Sequence, residues 1–276
     1  MRRIGFDTTF LEVDKYGVVD PERLKEAIRE DTLLVSIMTA NNEIGTIEPI
    51  KELAEVAHEA GVLFHTDSVQ AFGKILFDVE EMGVDFAAAS GHKFYGPKGI
   101  GICYIKEASQ DKLTRLIDGG SHEGGLRAGT ENIPGIIGIA TALELAVADM
   151  KEESKKLGEL SDILYKGLTD CLDGIHLNGH PSKRLPGLVN VSIERIEGES
   201  ILISLDMQGI GVSSGSACSS GSVEASHVLL AIGREPTLAH GSLRFSLGRE
   251  NTKEDVEYIL RVLPPIVEKL RSVSAL

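Results

Sequence analysis

Cysteine is scarce in this sequence of 276 residues: there are three, Cys103, Cys171 and Cys218. So odd and sparse a set excludes a disulfide framework. No two of them have the short spacing of a zinc pair, so no metal is expected. Basic charge is in deficit too, with 28 Lys and Arg against 42 Asp and Glu and a formal net charge of -14. That balance leaves no basic face to neutralise phosphates and argues against nucleic-acid binding. No apolar run reads as long enough to span a bilayer, so no membrane is expected. The start, Met1-Arg2-Arg3 followed by Gly5 and Asp7, lacks the apolar core of a signal peptide. Repeats and low-complexity tracts are also missing. What remains is ordinary globular composition, 42% hydrophobic, in a chain long enough for one large domain or two modest ones. A reducing, cytoplasmic setting is expected.

The first half alternates apolar strands with amphipathic helices. A strand is expected to end over 10–13. A helix is expected over 21–29, with Asp20 as its cap and Pro21 at its first position. Strands are expected over 33–38, 62–65, 84–89 and 100–105. A helix over 49–60 places Ile50, Leu53, Ala54 and Ala57 on one face and stops at Gly61. Strands separated by helices predict an α/β fold with a mostly parallel sheet, covered by helices on both faces. Past Pro134 the texture changes. A long helix over 136–172 leads to a strand over 188–193, a helix over 200–207, a strand over 243–247 and a helix over 252–270. These form a smaller α+β domain, with the boundary near 140: residues 1–140 and 141–276.

In an open α/β sheet, ligands bind at the carboxyl ends of strands. Three loops there carry candidate chemistry. Residues 40–46, with Asn42, read by themselves as a turn. In 65–70, Asp67 either caps the next helix or pairs with a cationic ring nitrogen. In 90–99, Lys93 lies just past an apolar strand among small residues and rings. A lysine held in a partly desolvated site can form a Schiff base. Ser90 and His92 beside it suit an anion, and the glycines let backbone approach a ligand closely. In the second half, Cys218 sits in a Ser/Gly segment, where a reactive thiol is expected to be exposed and mobile. Cys103 is expected in the core and Cys171 in packing. Arg244, in an alternating strand, is either a solvent-facing charge or a clamp for a carboxylate.

Taken together, the strings NNEIGTIEPI, HTDSVQ, SGHKFYGPKGIG, GGSHEGGLRAGTEN, VSSGSACSS and SLRFSLGR resemble the class I cysteine desulfurases, within the fold-type I pyridoxal-phosphate enzymes. The match runs from the first residues almost to the last. The resemblance implies pyridoxal 5'-phosphate as cofactor and L-cysteine as substrate. It implies that Lys93 holds the cofactor covalently and acts as general base. It further implies that Asp67 pairs with the ring nitrogen, Gln70 with the ring oxygen, and Ser90 and His92 with the phosphate. Thr130 would reach the phosphate of a neighbouring subunit in a homodimer. Asn42 and Arg244 would hold the substrate carboxylate, and Cys218 would take the sulfur as a persulfide. A sulfur acceptor or iron–sulfur scaffold protein would be the onward partner.

The sequence departs from that pattern at its start. The family carries an earlier segment with the first strand and helix of the large domain, a phosphate-binding threonine and a ring-stacking histidine. The chain is therefore expected to be incomplete at its N-terminal end and to expose apolar sheet surface. Gly124 stands where many members carry Arg. Two other readings share most of these residues. One is a different pyridoxal enzyme, an aminotransferase or selenocysteine lyase. The other is an inactive fragment serving only dimerisation or scaffold binding.

Overall fold

A computed structural model describes residues 5–214 and 225–273. The chain divides into two compact units. One comprises Pro21–Thr39 and Glu48–Lys151, the other Met1–Asp20, Ala40–Ile47 and Glu152–Leu276.

The first unit is built on a four-stranded sheet in the order β1 (Leu34–Ser36), β2 (Leu63–Asp67), β3 (Phe86–Ser90) and β4 (Gly101–Ile105). β1, β2 and β3 run parallel, and β4 returns antiparallel to β3. The helices are α1 (Pro21–Ala27) and α2 (Ile50–Glu59), with the first part of α3 (Ile133–Cys171). α2 buries Ile50, Leu53, Ala54 and Ala57, the expected stripe. It ends where Gly61 takes φ of 74° and donates to the His58 carbonyl. β1 lies at the sheet edge, and Leu33, Leu34 and Met38 are exposed along it.

Two expectations are corrected in this unit. Cys103 is exposed rather than in the core, because β4 pairs only with β3 and its alternation turns Cys103 outward. α3 is, by length and composition alone, long and apolar enough to cross a membrane, since 133–150 holds only Glu144 and Asp149 as charges. That test is also met by helices of soluble proteins, and here Ile139 and Ala146 pack with Phe94. Cys171, at the end of α3, is exposed as well.

Asp85 pins the first unit together. It is 4% exposed. Its Oδ2 accepts from Phe64 N–H at 2.8 Å and lies 2.8 Å from His58 Nε2 of α2, while Ser109 Oγ donates to Oδ1 at 3.1 Å. Burial alone pushes such a carboxyl up, but the bonds from His58, Phe64 and Ser109 outweigh it and hold Asp85 below its ordinary value. A depressed carboxylate stabilises the fold above its unfolded pKa, and this contribution is lost as pH falls through the folded value. Asp85→Ala should therefore lower stability by about 3 kcal/mol at neutral pH, with a smaller loss in acid. Denaturant unfolding across pH checks this. An unchanged midpoint at neutral pH would show the network to be idle.

The second unit holds a three-stranded antiparallel sheet in the order β5 (Ile175–Asn178), β6 (Leu188–Ile193) and β7 (Ser242–Ser246). Every residue of central β6 is buried. α4 (Gly198–Asp206), the short helices α5 (His227–Ala231) and α6 (Pro236–His240), and α7 (Lys253–Val273) complete it. Leu164 and Leu168 of α3, Val191 and Ile193 of β6, and Val256 and Leu263 of α7 share its main core.

Candidate active site

The expected residues fall into two groups, one in each unit. In the first, β2 and β3 are parallel neighbours with Asp67 opposite Ala88. Asp67 is the last residue of β2 and Ser90 the last of β3. Both side chains therefore stand at the carboxyl edge of adjacent strands, which lie about 4.8 Å apart in any sheet. The expected strands stopped short of these residues, whereas the ladder runs on to include them. Asp67 is exposed, and its Oδ1 accepts from Val69 N–H at 2.9 Å. Burial pushes the His65 imidazole below its ordinary value, against the opposing pull of Asp67. Gln70 is half-buried, and its Oε1 accepts from Lys74 Nζ at 3.1 Å.

After Ser90 the chain makes a single 3-10 turn, Gly91–Phe94, which carries Lys93. Gly96 N–H donates back to the Gly91 carbonyl at 2.8 Å. A Cβ on Gly96 would meet that carbonyl oxygen at 2.9 Å, so the turn closes only with glycine there. Tyr95 takes the left-handed conformation, and Phe94, 1% exposed, anchors the turn in the core. Ser90 Oγ and His92 Nδ1 share a hydrogen bond of 2.8 Å. Lys93 is half-buried and has no hydrogen-bond or ion-pair partner among the described residues. An unpaired lysine amine that follows one hydroxyl and one imidazole on the same turn fits an aldehyde that carries a phosphate. Thr130 lies apart in the chain, exposed, in the loop where His122 Nδ1 meets Glu131 Oε1 at 2.6 Å.

The second group forms by strand register. Asn178 pairs with Asn190, and Asn190 with Arg244, so one row crosses β5, β6 and β7. Ser213 extends the row through a bridge to Arg244. Arg244 is half-buried; its Nη1 donates to the Asn42 carbonyl at 2.9 Å and its Nη2 to Ser213 Oγ at 3.3 Å. No carboxylate pairs with it among the described residues, and its buried Nε is unpartnered. A guanidinium that makes no ion pair is open to an incoming anion. The 40–46 segment is the turn expected, with Asn41 Oδ1 accepting from Glu43 and Ile44 N–H. The Asn42 amide side chain makes no hydrogen bond among the described residues. Cys218 lies outside the described residues.

Sequence reasoning passed over Glu43. It is 6% exposed, and its Oε2 accepts from Ser226 Oγ at 2.5 Å. Burial pushes its carboxyl above the ordinary range, opposed by the Ser226 bond and by the charges of His227 and Arg244. The only local signal was a carboxylate inside a Gly/Asn turn that buries most of its neighbours.

Comparison with known proteins identifies the family of the chain as a whole. A family described as aminotransferase class-V matches residues 1–259. The chain is 53% identical over 274 residues to the cysteine desulfurase IscS of Dictyoglomus turgidum, covering 99% of itself and 69% of that protein. Among solved structures, a NifS-like protein superposes with a TM-score of 0.89 at 39% identity, covering 98% of this chain and 70% of that one. A structure described as SspA in complex with cysteine superposes with a TM-score of 0.75 at 36% identity, over 89% of this chain and 67% of that one. The chain belongs to the aminotransferase class-V family, within its cysteine desulfurase group.

Proposed function

We propose that this protein is a pyridoxal-phosphate-dependent cysteine desulfurase that moves sulfur from L-cysteine onto Cys218. The observation that carries this reading is the half-buried, unpaired amine of Lys93, set one short turn beyond Ser90 at the strand edge it shares with Asp67. In this reading the first unit is the fold-type I large domain. Lys93 attaches the cofactor, Asp67 and Gln70 hold its ring, and Ser90 and His92 hold its phosphate. Thr130 serves the phosphate of a second copy in a homodimer. Bound pyridoxal phosphate supplies a ring that withdraws electrons from the substrate α-carbon. Asn42 and Arg244 orient the substrate carboxylate. Nζ of Lys93, once free, takes the α-carbon proton.

The sulfur step balances as thiol plus thiol. Cys218 sulfur bonds to the substrate sulfur, the substrate's carbon–sulfur bond breaks, and the carbon keeps the electron pair and gains a proton. The products are L-alanine and a persulfide on Cys218. The persulfide then passes to an acceptor or iron–sulfur scaffold protein in the cytoplasm. The protein supplied with pyridoxal phosphate, L-cysteine and dithiothreitol should release alanine and sulfide in equal amounts. A keto acid appearing only when an acceptor acid is added would point to an aminotransferase instead. Failure to take up the cofactor would favour an inactive fragment.

A further inference from the structure

Every residue of β6 is buried, yet the strand includes Asn190 and Ser192. Asn190 is 1% exposed, and so is Asn178, its partner on β5. An amide in such a place costs stability unless it is bonded. Here the bonds form one chain. Arg234 Nε donates to Asn178 Oδ1 at 2.7 Å, Asn178 Nδ2 to Asn190 Oδ1 at 2.8 Å, and Asn190 Nδ2 to the Glu43 carbonyl at 2.9 Å. A guanidinium only donates and a carbonyl only accepts, so both amides must turn their nitrogens toward Glu43. The chain ends on the turn that carries Asn42. Arg244, opposite Asn190 in the strand register, donates from Nη1 to the Asn42 carbonyl at 2.9 Å. Consecutive carbonyls of the turn are thus held by side chains from β7 and β6. The N–H groups of the same two peptide planes, those of Glu43 and Ile44, donate to Asn41 Oδ1.

We propose that Asn190 is a positioning residue for the substrate carboxylate: through the Glu43 carbonyl it fixes the Asn42 peptide on which the Arg244 guanidinium is seated. Asn178 and Arg234 set the direction of its amide from behind. The proposal rests on the reading of Asn42 and Arg244 as the residues that hold the carboxylate. Among the described residues Arg244 bonds through its side chain to the Asn42 carbonyl and Ser213 Oγ, so its aim depends on where that turn stands. A guanidinium gains its full hold on a carboxylate when its plane matches the two oxygens. Release of the Glu43 carbonyl frees one of the two peptide planes, and the Asn42 amide and Arg244 then lose their common frame. The residues assigned to the cofactor are not touched by this change.

The test uses the full chain supplied with pyridoxal phosphate and compares L-alanine with ethylamine, which is alanine with hydrogen in place of its carboxylate. Half-saturation by each is read from the visible absorbance of the bound cofactor. The ratio of the two is taken on one sample, so a smaller folded fraction or a lower cofactor load cancels. The parent protein should prefer L-alanine. Asn190→Leu, close to asparagine in size, should cut that preference roughly ten-fold, the worth of one hydrogen bond to a charged group. Arg244→Lys sets the floor, and adding Asn190→Leu to it should lower the preference no further. A second readout needs no cofactor: exchange with water of the Arg244 Nη protons in protein carrying isotope-labelled arginine, identified by their loss in Arg244→Lys. That exchange should quicken several-fold in Asn190→Leu. An unchanged preference or an unchanged exchange rate in folded Asn190→Leu overturns the proposal, as do additive effects in the double variant. Should Asn190→Leu fail to fold, Arg234→Met at the half-buried end of the chain decides in its place, with the same directions expected and roughly two-fold effects. If the parent protein takes up no cofactor, the desulfurase reading fails. If it takes up cofactor but does not prefer L-alanine, the carboxylate assignment fails. In both cases the exchange rate still decides whether Asn190 holds Arg244.

Discussion

Lys93→Ala is expected to leave a folded protein with at least about 10³-fold less desulfuration. The size follows from two proposed duties of one amine: the covalent attachment of the cofactor and the removal of the α-carbon proton. The fold should not notice the change. The turn around Lys93 is held by the Gly96 to Gly91 bond and by buried Phe94, and neither uses the lysine side chain. The amine has no hydrogen-bond or ion-pair partner among the described residues, so its removal leaves none of them orphaned. Stability should stay within about 0.5 kcal/mol, as for substitutions away from packing and buried polar networks. Lys93→Arg supplies the control, because a guanidinium keeps the positive charge but does not attack the aldehyde. If charge alone mattered, the arginine variant would retain activity; the expectation is that it fails like alanine. The measurement pairs alanine release with the visible absorbance of protein-bound pyridoxal phosphate after gel filtration. A Lys93→Ala protein that keeps both the absorbance and the turnover would remove Lys93 from the chemistry.

How far the sequence discloses this molecule depends on the range of the interaction concerned. α2 was legible in full because its signal is local: an apolar stripe at helical spacing, then a glycine in the left-handed conformation. β6 was legible because Leu188, Val189, Val191 and Ile193 make a mostly apolar run, as a central strand buried on both faces requires. β5 was not, since its four residues include His176 and Asn178, and Asn178 is accommodated by partners from β6 and from the loop after α5. Its Nδ2 donates to Asn190 and Ser192, and its Oδ1 accepts from Arg234. The short helices α5 and α6 lack the length for a periodic pattern. Cys103 was misjudged because the sequence shows a strand but not whether it lies at an edge. The same limit governs the site. Lys93 and Ser90 are neighbours in the chain and were found together. The Asn178–Asn190–Arg244 row and the Glu43–Ser226 bond join residues far apart in sequence, the row by strand register and the bond by the meeting of a turn with a helix cap.

Cys218→Ser is expected to separate cofactor binding from sulfur transfer. Bound pyridoxal phosphate should be retained in full, because each residue assigned to it lies in the first unit and Cys218 is not among them. Alanine release should fall by at least about 10³-fold, since a hydroxyl is a far weaker nucleophile than a thiolate and forms no persulfide. The other two cysteines sharpen the test. Cys103 and Cys171 are both exposed, so exposure does not distinguish the acceptor, and either could pick up sulfur adventitiously. Incubation with L-cysteine without reductant, followed by peptide mass spectrometry, should place an added sulfur on the peptide of Cys218 in the parent protein. In Cys218→Ser, no peptide should carry it above background. Two outcomes would count against the assignment in different ways. Persistent alanine release in Cys218→Ser would show that sulfur leaves without this thiol. Added sulfur on Cys103 or Cys171 in the parent protein would move the acceptor to a position that the family resemblance does not mark.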